Sequence, residues 1–235
     1  MNYVWATGSH TGRVRDANED AVYPEDSGSG AGPVVVAVAD GMGGHVAGEI
    51  ASRIAIEAVA ATEAPADERV TASNEAILRF VGTQPQLAGM GTTLTVGILD
   101  EDGVLRLGHV GDSRAYLWRG EELQQLTRDH TVVAELVALG HLAAKAAERH
   151  PQRHLLTRTL GLGPVEVDSE EQTLEIGDRI LLCSDGLTTM LDDTDIAALV
   201  GANDDVESAV WALIEAANTA GGVDNTTVVV VDVRQ

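Results

Sequence analysis

Short apolar runs rich in β-branched residues, each bounded by Gly, Asp or Pro, constrain the fold of this chain more than any other feature. They span residues 34–39, 92–99, 104–110, 179–183 and 226–233. Their length and their β-branched content predict buried strands. The hydrophobic content of 44% is enough to fill the core that such strands need.

Two further segments have the residue spacing of amphipathic helices. The apolar positions on one face are Ile50, Ile54 and Ala58 in residues 47–61, and Val206, Val210, Leu213 and Ile214 in residues 205–217. Strands and helices do not alternate regularly, because a helical pair at about 46–80 is followed by three strands, which favours a layered α+β domain. Residues 24–33 are too short for a linker and are predicted to join two neighbouring strands.

Composition and charge exclude several classes of protein. The formal net charge of -22 and the aromatic content of 3% argue against nucleic-acid binding. No stretch approaches the roughly 20 apolar residues that span a bilayer, so we expect no membrane anchor. One cysteine and a first segment without a secretory pattern predict a cytoplasmic protein. We expect a monomer.

Aspartates stand beside these predicted strands. Asp40 follows the first, Asp185 follows the fourth, Asp224 precedes the last, and Asp112 lies in a turn between two strands. This arrangement can gather carboxylates at one edge of a sheet. Carboxylate oxygens suit Mg²⁺ and Mn²⁺, and the sequence has no cysteine pair or paired-histidine motif for zinc. The sequence therefore predicts a magnesium or manganese site.

Three of these aspartates are also predicted to lie in tight turns, at 40–41, 111–113 and 185–186, where a small residue lets the backbone approach a ligand. A single Asp-Gly pair is more often a plain turn than a metal ligand, so the prediction rests on the set. There is no phosphate-binding loop ending in Gly-Lys-Ser/Thr, and Cys183 is followed six residues later by Thr189 and not by arginine. We therefore predict that Cys183 is a buried small hydrophobe.

Six short motifs occur along the chain: RDANED at 15–20, ADGMGG at 39–44, GTT at 91–93, GDSR at 111–114, SDG at 184–186 and DNTT at 224–227. In this order they resemble the metal-dependent type 2C protein serine/threonine phosphatases, in their bacterial branch. The resemblance runs from about residue 8 to 233. It implies one phosphatase domain over 1–235, with a central antiparallel β-sandwich flanked on both sides by paired helices in four α-β-β-α layers.

The resemblance also implies a set of site residues. Two core Mn²⁺ or Mg²⁺ ions would be bridged by Asp40 and bound by the Gly41 carbonyl, and a third, weaker ion is typical of bacterial members. Asp20 and Glu19 would act mainly through metal-bound waters, and Asn225 would support the ligands. The implied metal-binding residues are Asp20, Asp40, Gly41, Asp112, Asp185 and Asp224, with Asp112 and Asp185 for the third ion.

The implied reaction is hydrolysis of phosphoserine and phosphothreonine. A water bridging two cations loses a proton near neutral pH and can attack phosphorus in line, with no phosphoenzyme. Arg15 matches the phosphate-binding arginine and would hold the nonreacting oxygens. Met42 stands where many eukaryotic relatives have a histidine assigned as general acid. The segment 131–153, with His141 and His150 inside it and His154 just after, corresponds to a mobile flap, and we hypothesise that it influences substrate choice. Its alternative is a surface insertion with solvated or capping histidines.

Two other functions stay open from the sequence. One is a catalytically weak module that binds phosphoproteins, which would be expected to have replaced metal ligands. The other is hydrolysis of small phosphate esters, which the same metal chemistry permits. The expected partners are phosphorylated proteins, with a serine/threonine kinase or its targets as candidates.

Overall fold

The structure is a computed structural model that describes residues 1–44, 46–147 and 150–235. The strands are β1 (Asn2–His10), β2 (Asp20–Tyr23), β3 (Gly28–Ala31), β4 (Val34–Met42), β5 (Gly91–Thr92), β6 (Leu94–Leu99), β7 (Val104–Val110), β8 (Arg114–Arg119), β9 (Glu122–Gln125), β10 (Asp168–Thr173), β11 (Arg179–Cys183) and β12 (Thr226–Arg234). The helices are α1 (Val46–Ala60), α2 (Ala66–Thr83), α3 (Val132–Ala138), α4 (Ala144–Ala147), α5 (Asp185–Thr188), α6 (Asp193–Ala202) and α7 (Val206–Ala220).

The strands form two antiparallel sheets. The first has the order β3-β1-β12-β11-β8-β9, and the second has the order β10-β7-β6-β4-β2, with β5 paired to β4. Helices α1 and α2 pack on the second sheet, and α7 packs on β1 and β12 of the first, with α6 beside it. The sheets face each other across a shared core. The predicted α-β-β-α sandwich is therefore confirmed.

Strand β12 shows why the apolar runs are continuous. Val228 and Val230 pack against the helices outside the first sheet, whereas Val229 and Val231 pack into the core between the sheets. Successive side chains of a strand point to opposite faces, so a strand covered on both faces needs apolar residues at every position. The run at 179–183 coincides with β11 for the same reason. The run at 104–110 coincides with β7, although Arg106 on its outer face is partly exposed.

Other predicted boundaries differ from the structure. The run at 92–99 is broken at Thr93, where β5 ends before β6 begins. Asp40 and Gly41 do not lie in a tight turn, because β4 continues to Met42, and the positive φ values that follow this strand are at Gly43 and Gly44. Residues 185–186 begin the short helix α5. The third predicted turn, 111–113, does connect β7 to β8.

The segment 24–33 joins two neighbouring strands, as predicted, but it and helix α1 contain features that the sequence did not indicate. Although β2 and β4 are paired neighbours, 24–33 contains β3, which hydrogen bonds with β1 in the opposite sheet. In α1 the predicted face is only half-buried. The fully buried face carries Ala51, Ala55 and Val59, since small side chains allow α1 to lie close to β4 and α2. The predicted face of α7 is fully buried, as expected.

Cys183 is buried at the end of β11, as predicted, and burial raises the pKa of its thiol to about 12. No helix within the described ranges is both long and apolar enough to cross a membrane.

Candidate metal centre and active site

The topology brings the candidate carboxylates to one end of the sandwich. β4 and β7 run in the same direction, because each is antiparallel to β6, so their carboxyl ends meet at the same edge. β11 is antiparallel to both β8 and β12, so its carboxyl end lies beside the starts of those strands. The candidate carboxylates at these strand ends are Asp40 on β4, Asp112 between β7 and β8, Asp185 after β11 and Asp224 before β12.

Asp20 and Asp40 lie directly opposite each other in the β2–β4 pair. Ser184 Oγ donates a hydrogen bond to Asp20 Oδ2 at 2.8 Å. Asp20 Oδ1 is buried and has no hydrogen-bond partner among the described residues. Burial, with repulsion from Asp185 and Asp224, raises the pKa of Asp20 to about 7. Burial and the neighbouring carboxylates also raise the pKa of Asp40.

Asp185 is the first residue of α5, and Asp224 lies in the turn between α7 and β12. Ser184 joins the two strand ends, because its backbone N–H donates to the Thr227 carbonyl at 3.0 Å and its Oγ accepts from the Thr227 N–H at 2.9 Å. Burial and repulsion from Asp224 raise the pKa of Asp185. The two carboxylates are thus held together by a connection between β11 and β12.

Gly41 follows Asp40 within β4, and its N–H donates a hydrogen bond to the Glu19 carbonyl at 3.1 Å. A side chain at Gly41 would overlap the backbone of Gly48 in α1. Only glycine allows this close approach between the strand and the helix.

Asn225 fixes the loop that carries Arg15 and Glu19. Its Nδ2 donates to the carbonyls of Thr11 and Ala17, both at 2.9 Å, and its Oδ1 accepts from the Glu19 N–H at 2.8 Å. Asn225 is buried, so these hydrogen bonds are protected from water. Asn225 is thus hydrogen bonded to both ends of the loop at 11–19.

Arg15 lies at the rim of the carboxylate cluster. Its side chain is 53% exposed, and Nη2 donates to Asp224 Oδ2 at 2.6 Å. This hydrogen bond raises the pKa of Arg15, which stays charged. The guanidinium is therefore close to the carboxylates and open to solvent on its other side.

Asp112 lies in the turn that follows β7. Gly111 has φ +114°, and a side chain there would meet Thr93 at 2.5 Å. Thr93 Oγ1 accepts from the Asp40 N–H at 3.0 Å and also hydrogen bonds with Ser113 Oγ at 2.7 Å. Thr93 therefore links the two backbone segments that carry Asp40 and Asp112. Burial and repulsion from Asp185 raise the pKa of Asp112.

Sequence reasoning did not assign roles to the hydroxyls of Thr93, Ser113 and Ser184. Thr93, Ser113 and Ser184 do lie in the GTT, GDSR and SDG motifs, which is the signal that could have drawn attention to them. Their partners are distant in sequence, so pattern alone could not show which backbone segments they join.

The donor set fits a hard divalent cation. Crowded carboxylates with raised pKa values and an unpaired Asp20 oxygen gain from a nearby positive charge. In the described part of the chain, no three acidic, histidine or cysteine side chains are arranged to hold an ion by themselves. Backbone carbonyls and water would therefore have to complete any coordination shell.

A groove of about 1000 Å³ opens beside Asp112 and Asp185, between the α3–α4 segment and the start of α6. His154 borders this groove, and its Nδ1 lies 3.9 Å from Asp185 Oδ2. His141 is exposed, and His150 Nδ1 accepts from the Gln152 N–H at 3.2 Å. Residues 148 and 149 of the segment 131–153 lie outside the described residues.

Met42 ends β4 and pairs with Gly91. Its thioether cannot donate a proton, so this position supplies no general acid.

A four-layer sandwich with carboxylates gathered at one end is the arrangement of a metal-dependent phosphatase. Residues 7–220 match the sequence model described as protein phosphatase 2C, and the chain belongs to that family.

Two relatives and one solved structure show the extent of this similarity. The serine/threonine protein phosphatase PstP of Mycobacterium tuberculosis is 44% identical over 238 residues, covering 97% of this chain and 45% of PstP. The chain thus spans about half the length of that relative. The serine/threonine phosphatase stp of Listeria monocytogenes is 36% identical, covering 94% of this chain and 92% of stp. The crystal structure of the PstP catalytic domain with two manganese ions has a TM-score of 0.88 and 40% identity, covering 100% of both chains.

Proposed function

We propose that this chain is a protein serine/threonine phosphatase that hydrolyses phosphoserine and phosphothreonine with Mn²⁺ or Mg²⁺. The observation that carries the proposal is the convergence of the candidate carboxylates at one end of the sandwich. Asp20 and Asp40 face each other across β2 and β4, and Asp185 and Asp224 flank the adjoining ends of β11 and β12. When bound, the cations would activate a water for in-line attack on phosphorus.

The chain's own residues would divide the work. Asp40, Asp185 and Asp224, with the Gly41 carbonyl, would hold two core ions, and Asp20 would bind through water. Asp112 and Asp185 would hold a third, weaker ion. Glu19 and Asn225 would keep the ligands in place, which is supported by the hydrogen bonds that Asn225 makes to the loop at 11–19.

Arg15 would bind the nonreacting phosphate oxygens and offset their charge in the transition state. Its exposure at the rim and its contact with Asp224 support this role. Because Met42 cannot protonate the leaving alkoxide, that proton would come from solvent.

Residues 1–235 would form one catalytic domain, consistent with the family match over 7–220. The expected substrates are phosphorylated proteins, with a serine/threonine kinase or its targets among them. We propose a monomer, since one chain supplies every candidate site residue, and a cytoplasmic location, which agrees with a single buried cysteine.

The segment 131–153 would select substrates, because the groove beside Asp112 and Asp185 runs along α3 and α4. Replacing residues 136–147 with a short Gly-Ser linker should change the ranking of several phosphopeptides by kcat/KM. Equal losses on all peptides would contradict a role in selection.

The comparison of a phosphothreonine peptide with a small aryl phosphate tests the substrate class. We expect a higher kcat/KM for the peptide, because the groove offers contacts beyond the phosphate. A higher value for the small ester would favour a general phosphoesterase.

A further inference from the structure

His130 holds both backbone polar groups of Gly111, the residue before Asp112. The His130 N–H donates to the Gly111 carbonyl at 2.7 Å, and the Gly111 N–H donates to His130 Nδ1 at 3.1 Å. His130 is only 4% exposed, so neither hydrogen bond competes with bulk water. One residue therefore closes a ring of two hydrogen bonds around Gly111.

The neighbours of the ring fix its tautomer. Nδ1 accepts from the Gly111 N–H and so carries no proton, which leaves the proton on Nε2. Nε2 lies 3.1 Å from Asp168 Oδ2, so it donates to that carboxylate. Arg158 Nη1 in turn donates to Asp168 Oδ1 at 2.6 Å. Asp168 and Arg158 thus hold the ring in the orientation that binds Gly111.

The same residue connects the turn to the base of the segment 131–153. The His130 carbonyl accepts from the Thr157 N–H at 2.8 Å, and Thr131 forms a bridge with Leu156. The Val132 N–H donates to the Leu155 carbonyl at 2.9 Å. The segment therefore begins directly after His130, and the residues just beyond its end pair back with residues 130–132.

The hold on Gly111 bears directly on Asp112. Gly111 adopts φ +114°, one of many backbone conformations open to glycine, so the two hydrogen bonds with His130 are what select it. On the far side of Asp112, Ser113 Oγ hydrogen bonds with Thr93 Oγ1. Asp112 therefore lies between two anchors, and a shift of Gly111 would redirect its carboxylate.

We propose that His130 is a positioning residue that fixes the Gly111–Asp112 turn and aims the Asp112 carboxylate at the candidate metal centre. The inference rests on the proposed function, because it takes Asp112 as a ligand of the weaker third ion. A supporting residue of this kind affects metal affinity without touching the ion. Loss of such supporting contacts typically weakens metal binding by about 10- to 100-fold.

Two substitutions of His130 separate positioning from packing. Asn places its Oδ1 near the position of Nδ1 and can still accept from the Gly111 N–H. Gln places its amide near Nε2 and can still donate to Asp168, but it has no acceptor for Gly111. The matched control is His109→Asn, because the buried His109 ring is 4.8 Å from the His130 ring and its nitrogens bond to Thr95 and to the Arg128 carbonyl, not to Gly111. Asn can keep the contact with Thr95, whose Oγ1 also donates to the Ser113 carbonyl at 3.1 Å.

The experiment is calorimetric titration of the metal-stripped full chain with Mn²⁺, alongside thermal denaturation. We expect His130→Gln to weaken the weakest manganese site by about 10-fold or more, leaving the tighter sites unchanged. His130→Asn should show a smaller loss. His109→Asn should lower the Tm and leave all manganese sites unchanged. If His130→Gln does not fold, Asp168→Ala at a half-exposed position should weaken the same site.

Equal effects of Asn and Gln, or an unchanged weak site in both, would overturn the inference. Asp112→Asn, titrated in parallel, separates this failure from a failure of the proposed function. If Asp112→Asn weakens the site and the His130 variants do not, only the role of His130 is wrong. If Asp112→Asn changes no manganese site, the assignment of Asp112 and the inference both fail.

Discussion

Arg15 is the residue that most directly joins the carboxylate cluster to solvent. It contacts Asp224 through one nitrogen, and more than half of its side chain is exposed. A guanidinium in this position can bind a phosphate through two parallel hydrogen bonds, which a lysine cannot reproduce.

We predict that Arg15→Ala lowers kcat/KM for a phosphothreonine peptide by about 100-fold, the typical effect of removing one donor that stabilises transition-state charge. The kcat/KM of Arg15→Lys should lie between those of Arg15→Ala and the wild type, since lysine retains the charge but cannot form two parallel hydrogen bonds. Steady-state kinetics at saturating Mn²⁺ measures both variants. The exposed Arg13, two residues away, provides the control. If Arg13→Ala loses as much activity as Arg15→Ala, the specific role of Arg15 is wrong.

The sequence predicted which aspartates would gather at one end of the fold better than it predicted their local structure. Asp20, Asp40, Asp185 and Asp224 do meet, but Asp40 lies within a strand and not in a turn. The hydrogen bond from Ser184 to Asp20 joins residues 164 positions apart. Such a contact depends on the packed fold, so local pattern could not reveal it.

At the scale of elements, the pairing of β7 with β10 buries a histidine. His109 lies opposite Asp168, and burial followed by repulsion from His130 lowers the pKa of His109 from 6.5 to about 4. The unfolded chain therefore takes up a proton at a higher pH than the folded chain does. The resulting loss of folding free energy is nearly absent at pH 7, grows as the pH falls below 6.5, and is complete below pH 4.

We predict that His109 alone destabilises the wild type by about 2 kcal/mol between pH 7 and pH 5. The measurement is urea denaturation of wild type and His109→Gln at both pH values, without added metal. Groups shared by the two proteins contribute similarly to both, so the stability advantage of the wild type should shrink on acidification. An advantage that stays constant would contradict the burial of a neutral imidazole.

The strands that could be predicted are those that place several apolar side chains in the core. β7 and β11 follow their apolar runs from end to end, whereas β10 is missed because an edge strand of sequence DSEEQT carries no apolar pattern. β3 is missed because its glycines and serine resemble a loop. In α1 the large Ile50 and Ile54 pack at the edge of the core and are half-buried, whereas the closest packing takes the small Ala51 and Ala55, which their size alone did not indicate.

At the scale of the whole molecule, the net charge of -22 gives a negative long-range field, and the lining of the groove has more aspartates than arginines. Such a field attracts cations and repels acidic peptides, and its effect weakens as salt shortens the screening length.

We predict that a phosphothreonine peptide with arginines beside the phosphorylated residue has about 10-fold higher kcat/KM than one with glutamates at low salt. The difference should largely disappear at about 1 M salt, where the screening length is about 3 Å. An uncharged-flank peptide serves as the reference. A ratio that does not depend on salt would mean that local contacts, and not the field of the molecule, set the preference.

The most direct test of the central claim is phosphate release from a phosphothreonine peptide by metal-stripped protein, titrated with Mn²⁺ and Mg²⁺, with Asp40→Asn run in parallel. Asp40 lies opposite Asp20 at the centre of the cluster, so its loss should remove metal-dependent activity while the chain stays folded. We predict that either metal restores activity to the wild type. Neither metal should restore activity to Asp40→Asn. Equal activity of the two proteins, or no activity in a folded wild type with either metal, would contradict the account.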